Sequence, residues 1–552
     1  MQSRSLRLWM SVSFFSLLFA AGGCRTLSQD QSQSPIPDPV ELTSANSGWN
    51  EITAGVVPAI GAGGGKVFVF GSGKGLTHGL NGGATTDIAL PSSAAVGGHW
   101  ANDQQSIQLA GGDMLLSWNG FSNTFDEEFS KSEWWNKWPT DDGQAPQGVG
   151  YPVERNGIRP AELIWRYSAK DDQWSPTVNK LDAALVGAVD NNGSVKRSYC
   201  AQGVPWVAGF DRPEFYADPW SVDPANPAKQ RLLMSVRCSR SDDDSQQVFV
   251  SEDSGATWED SGIRLPGGMA TVAASASGNI FILQGTTIYV SEDHGKTIAP
   301  WSKSGFDITT SGFPLAAVQG TESGVGHPWV APTPISTVGP SSVLAVYPSV
   351  ETITVKGQAI KRQVAVVVVF IAPSGGDPAP LVLPLTIVRA KDPGGSVILP
   401  TLITEDRPLG NVASMMYWLE TTGKPATPGT DPTTVIARYL YFGRPAEFPS
   451  PIKDLSDPAG FQTTTIDPFG FGDYMKGAFY YDQSKKTLNF IAVWPQQKSD
   501  GTVKPFVRVI TMTDVPKNNL ALTGAKPAPK AVPSPKMVHP CEKCLTRAAK
   551  KD

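Results

Sequence analysis

The sequence predicts an all-β fold, a β-propeller of six or seven blades with seven the favoured count, and three observations carry that expectation. First, short apolar runs such as KVFVF, RLLMSVRC, GNIFILQG and LNFIAVWP recur along the chain, separated by turns rich in its 55 glycines and 46 prolines. Second, no amphipathic pattern of ten residues or more interrupts them, and charged residues make up only 18% of the chain. Third, VFVSEDSGATWED at 248–260 returns as IYVSEDHGKTIAP at 288–300, so Asp253 and Asp293 stand 40 residues apart. That period is one four-stranded blade.

The N-terminal stretch, residues 1–23, combines Arg4 and Arg7 with an apolar run from Leu8 to about Ala21 and reads as an export signal. Ala21-Gly22-Gly23-Cys24 resembles a bacterial lipobox, with Ala in place of the favoured Leu. The resemblance implies that Cys24 becomes a lipidated terminus, anchoring the chain to a membrane without a spanning helix. Arg25 rather than Asp follows it, which points to the outer membrane in a Gram-negative host. No other run reaches the roughly 18 to 20 apolar residues a spanning helix needs. VAVVVVFIA at 364–372 is half that length and β-branched, hence a buried strand.

Residues 24–50 are polar and Pro-containing, which suggests a flexible tether. The body spans 51–515, with strand groups ending near 86, 176, 258, 298, 390, 443 and 512. That count gives seven blades, or six if the first group only closes the last blade. Residues 516–552 form a Pro- and Lys-rich tail ending in a CxxC. Export makes disulfides possible, and bridges Cys200–Cys238 and Cys541–Cys544 are the simplest pairing. The net charge of −5 gives no footprint for nucleic acid.

The repeat carries the strongest resemblance. Ser251, Asp253, Gly255, Thr257 and Trp258 match the Asp box, or BNR repeat, of sialidase-like propellers. Ser291, Asp293, Gly295 and Thr297 match it again with Ile298 replacing the aromatic, and Asn81, Gly83 and Thr85 keep a degraded register in GLNGGATT. Physically, the Asp and Ser side chains suit capping of backbone N–H groups in a tight turn, and Gly accepts a backbone angle that a side chain resists. These acids are therefore expected to be structural. DRPEFYADPWSVDP, from Asp211, and FGDYMKGAFYYD, from Phe471, resemble the openings of blades in the same superfamily.

The resemblance brings the chemistry of exo-sialidases into question, and the sequence disfavours it. That family implies three arginines gripping a sialate carboxylate through bidentate forks. No arginine occurs between Arg25 and Arg155, where the first should lie. Another glycosidase would need two suitably spaced carboxylates. Asp126, Glu127, Glu128, Asp141, Asp142, Asp211, Glu214, Asp218 and Asp473 are candidates, several in turn-fixing positions. A third role is recognition: GFSNTFDEEFSKSEWWNKWPTDDGQ at 120–144 places Trp134, Trp135 and Trp138 among acids, as a stacking platform for sugar or protein or as rings packed onto the body.

No cofactor or metal motif is evident. SRSDDDS at 239–245 lacks the spaced ligands of a calcium loop, and His539, Cys541 and Cys544 offer three ligands where a closed zinc site takes four. The sequence thus leads to a lipid-anchored envelope propeller, without catalytic residues, that binds a carbohydrate or an envelope protein. The alternative is a glycoside hydrolase on the same scaffold.

Overall fold

The computed structural model describes, with short gaps, residues 25–29, 34–90, 104–125, 158–199, 209–300, 329–332, 342–371, 381–404, 414–422, 433–442, 450–463 and 471–516. Seven antiparallel sheets form the blades of a β-propeller, at 52–88, 105–182, 209–266, 270–300, 329–388, 397–463 and 478–516. Their innermost strands, from Ile52–Val57 of blade 1 to Ala478–Asp482 of blade 7, touch in a closed ring. A separate hairpin, Leu185–Val189 with Val195–Tyr199, follows blade 2 in the chain. The group ending near 86 is a blade in its own right, which settles the count at seven.

Each blade is covered on both faces by its neighbours, so its central strands read as continuous apolar runs. Val364, Val366 and Val368 pack towards blades 3 and 4, while Ala365 and Val367 pack towards blade 6. The same alternation holds in Ser414–Thr422, where Met415, Tyr417 and Leu419 face blades 7 and 1 and Met416 and Trp418 face blade 5. A sandwich with one wet face would leave every second residue polar. Here the interblade seams are the core.

The ring closes through a segment that sequence reading assigns to a flexible tether. In blade 7 the strands Ala478–Asp482, Thr487–Gln497 and Val503–Pro516 leave an outer edge, and Arg25–Gln29 pairs along it, Arg25 opposite Pro516. Val40–Glu41 continues the pairing opposite Val507 and Phe506. The tether assignment is therefore corrected from residue 34 onward: Ile36, Leu42 and Trp49 are buried in the largest core cluster. Main-chain bonds from Leu42 to Pro505 (2.9 Å) and from Val509 to Ile36 (2.9 Å) hold the segment down. Lys504 Nζ donates to the carbonyls of Ser44 and Asn46 at 2.8 and 2.6 Å where the chain crosses to blade 1. The reason is edge chemistry, since an unpaired strand edge leaves a row of unmet N–H and C=O groups.

Leu42→Ala distinguishes closure from tethering. It should destabilise the folded chain by about 2 to 5 kcal/mol in denaturant unfolding, the cost of emptying a buried leucine site. An unchanged unfolding midpoint would return the segment to the role of a tether.

Candidate functional site

The two sequence repeats occupy equivalent places, the turns between the third and fourth strands of blades 3 and 4. Ser251 Oγ donates to Asp253 Oδ1 at 2.8 Å and accepts from Gly255 N at 2.8 Å. Asp253 accepts from Thr257 N (2.8 Å) and Thr257 Oγ1 (2.6 Å). Burial raises the Asp253 carboxyl, but these bonds outweigh it and hold the group below the usual carboxylate range. In the second copy Asp293 accepts from Ser291 Oγ, Thr297 N and Thr297 Oγ1 at 2.8, 2.8 and 2.7 Å.

Gly255 has φ +85°, and a Cβ there would stand 2.6 Å from Leu115 of blade 2, so the turn also fits a neighbouring blade. Ser254 strengthens that seam: its Oγ accepts from Gln230 N at 2.9 Å, while Gln230 Oε1 accepts from Ala110 N at 2.8 Å. Trp258 leans on Phe215 with ring centroids 5.8 Å apart.

The degraded third copy does not form this turn. Its left-handed residue is Gly82 (φ +78°) rather than Gly83, Asn81 is exposed without a capping bond among the described residues, and Thr85 Oγ1 meets His78 Nδ1 at 3.2 Å. The residue pattern survives there without the side chains that make the cap.

Of the candidate acids, two are described in full. Glu214, on the innermost strand Gly209–Ala217, is buried and meets Lys476 Nζ at 2.6 Å. Lys476 also donates to the Phe215 carbonyl at 3.2 Å. It lies on Met475–Lys476, which runs parallel to Ile52–Val57 at the seam of blades 7 and 1, and Thr401 of blade 6 donates to the Met475 carbonyl at 2.8 Å. The ion pair thus spans the axis from that seam to blade 3. Burial pushes the Glu214 carboxyl up while the Lys476 ammonium opposes it. Asp218 caps the short turn Pro219–Ser221, accepting from Trp220 N at 2.9 Å, with Arg231 3.8 Å away. Both acids are engaged within the protein.

An open cavity of about 530 Å³ lies at the seam of blades 6 and 7. Phe461, Gln462 and Thr463 supply one wall, from a short strand of blade 6. The hairpin of blade 7 supplies the other, with Gln496, Gln497, Lys498, Ser499 and Gly501. Thr463 Oγ1 donates across the seam to Gln497 Oε1 at 2.8 Å, and Gln497 Nε2 donates to the Gly501 carbonyl at 3.2 Å. Gln462 is exposed and donates through Nε2 to Thr434 Oγ1 at 2.5 Å. Asp500 fixes the hairpin turn by accepting from Thr502 N and Oγ1 at 2.9 and 2.6 Å. Sequence reading missed this groove; its signal is the polar run QQKSDGT interrupting two apolar strands.

Trp134, Trp135, Trp138, Cys24, Cys200, Cys541, Cys544, Gly295 and Asp473 lie outside the described residues. Cys238 sits in Leu232–Ser239 opposite Phe210 and Ser245, and Asp211 opposite Arg237, with their side chains outside the description. Among the described residues no cluster of three His, Cys, Asp or Glu side chains could hold a metal ion.

Asp218 generates a pH signature. Burial lifts its carboxyl to about 6 against the hydrogen bond from Trp220 N, so the folded state holds this proton more tightly than the unfolded chain. The stability it contributes is full below about pH 4 and is lost as pH rises through about 6. Asp218→Asn should remove that dependence, so that the difference in unfolding free energy from wild type swings by about 2 to 3 kcal/mol between about pH 4 and 7. Parallel denaturant curves of the two proteins would contradict it.

Comparison with known proteins gives neighbours in structure alone. No family model matches the chain, and no curated protein matches it in sequence. A variant of the Aleuria aurantia lectin in complex with alpha-methyl-L-fucoside is similar at 9% identity and TM-score 0.32, covering 86% of this chain and 99% of the lectin. A GH32 beta-fructofuranosidase of Bombyx mori is similar at 8% identity and TM-score 0.26, covering 93% and 99%. A variant of that enzyme in complex with sucrose gives 10% identity and TM-score 0.27, over 87% and 94%. The propeller assignment itself rests on the strand pairing described above.

Proposed function

We propose that this chain is a carbohydrate-binding β-propeller, held at the cell envelope by a lipid on Cys24 and acting by recognition rather than hydrolysis. The groove at the seam of blades 6 and 7 is the observation that carries the reading. Three glutamines, a threonine and a serine line it, and amides and hydroxyls can both donate and accept, as the hydroxyls of a sugar do. Its volume of about 530 Å³ is in the range of small-molecule sites. Recognition is favoured over catalysis because Glu214 is taken up by Lys476 and Asp218 by the turn it caps. Trp134, Trp135 and Trp138 remain a second proposed platform for the same class of ligand. The resemblance to the Asp-box superfamily is likewise part of this proposal, supported by the matching turn geometry at Asp253 and Asp293.

Gln462 tests the groove, because it is exposed and its side chain bonds to the Thr434 hydroxyl. Gln462→Ala should weaken retention on immobilised polysaccharides by about fivefold, the scale of one hydrogen bond, with little change in thermal unfolding. Equal retention of both proteins would remove the groove from the function. The anchor is tested separately: Cys24→Ala should move the protein from the membrane fraction to the soluble fraction, and continued membrane retention would overturn the lipid assignment.

A further inference from the structure

Resting on the carbohydrate reading, we infer that the groove selects uncharged glycans, and that Glu41 sets this preference by neutralising the charge of Lys498. Lys498 is the one ionisable side chain among the residues that line the cavity. Left alone, an ammonium beside amides and hydroxyls would favour a uronate or a sulfated sugar, since a charged acceptor makes the stronger hydrogen bond. Lys498 is not left alone. Its Nζ forms an ion pair with Glu41 Oε2 and lies over the Phe506 ring, 5.8 Å from the centroid. Both partners belong to the paired strands Val40–Glu41 and Val503–Pro516, which leaves Gln462 and Gln496 as the groove's polar recognition groups.

The placement of Glu41 makes this a built feature. Glu41 pairs with Phe506 through the main chain, so its carboxylate is delivered by the segment that closes the ring. The pair is about two-fifths exposed on the lysine and one-third on the glutamate, so it sets a local charge more than it stabilises the fold. The hairpin's own acid, Asp500, is fixed by Thr502 and adds its negative charge near Lys498, in the same direction as Glu41.

The test compares retention on an uncharged glucan, dextran, with retention on an acidic polymer, polygalacturonate, at low salt. Wild type should favour dextran. Glu41→Gln should shift the ratio towards polygalacturonate by about fivefold, the order of one exposed charge pair, and added salt should erase the shift. Lys498→Gln should move the ratio the other way and guards against a Glu41→Gln chain that fails to fold, which circular dichroism would reveal. A wild type that prefers polygalacturonate, or a ratio unmoved by either substitution, overturns the inference while leaving carbohydrate binding intact. Retention of neither polymer by the wild-type chain overturns both readings together.

Discussion

A ring of sheets has to close, and closure is the constraint on which this structure depends. Each blade has two apolar faces, so no blade can stand at an end without exposing half its core. Blades 6, 7 and 1 share one cluster, with Tyr417, Trp494 and Val56 among its members, and the outer edge of Val503–Pro516 is covered by residues that precede blade 1. The first and last parts of the body are thereby joined by hydrogen bonds in a single sheet. Ring closure joins residues separated by most of the chain, which makes it a contact of high sequence separation and high entropic cost.

The axis carries the complementary tie. Lys476 reaches Glu214 across the ring while its own short strand is fixed to blade 1 and to Thr401 of blade 6. Taking both charges out of water is costly, and such a pair does not have to add net stability. Its geometry does specify which strand faces which across the centre. The repeats at Asp253 and Asp293 act more locally, closing turns and, in blade 3, fitting against blade 2.

The parts legible in the sequence are those where local chemistry and structure coincide. The run from Val364 could be read as a buried strand because both of its faces are apolar, and Ser251 to Thr257 could be read as a turn because the bonding partners lie within four residues. The closing segment gave no such signal. Val40–Glu41 is two residues long and follows Pro35, Pro37 and Pro39, so no period can be seen; what orders it is an edge far along the chain, with Val40 opposite Val507. Glu214 could be picked out as an acid, but its partner is 262 residues distant. The groove shows in the sequence only as the polar run QQKSDGT, for a related reason: it forms where a strand of blade 6 meets a hairpin of blade 7.

The register of the last blade also gives the molecule a direction. Arg25 sits opposite Pro516, whereas the groove hairpin joins the other end of that strand at Val503. Fourteen residues of extended chain separate the two ends, about 45 Å at some 3.3 Å per residue. The Asp253 and Asp293 turns follow third strands, as Pro516 ends one, so they lie at the Arg25 end of the ring, and anything held at that end leaves the groove facing away from it.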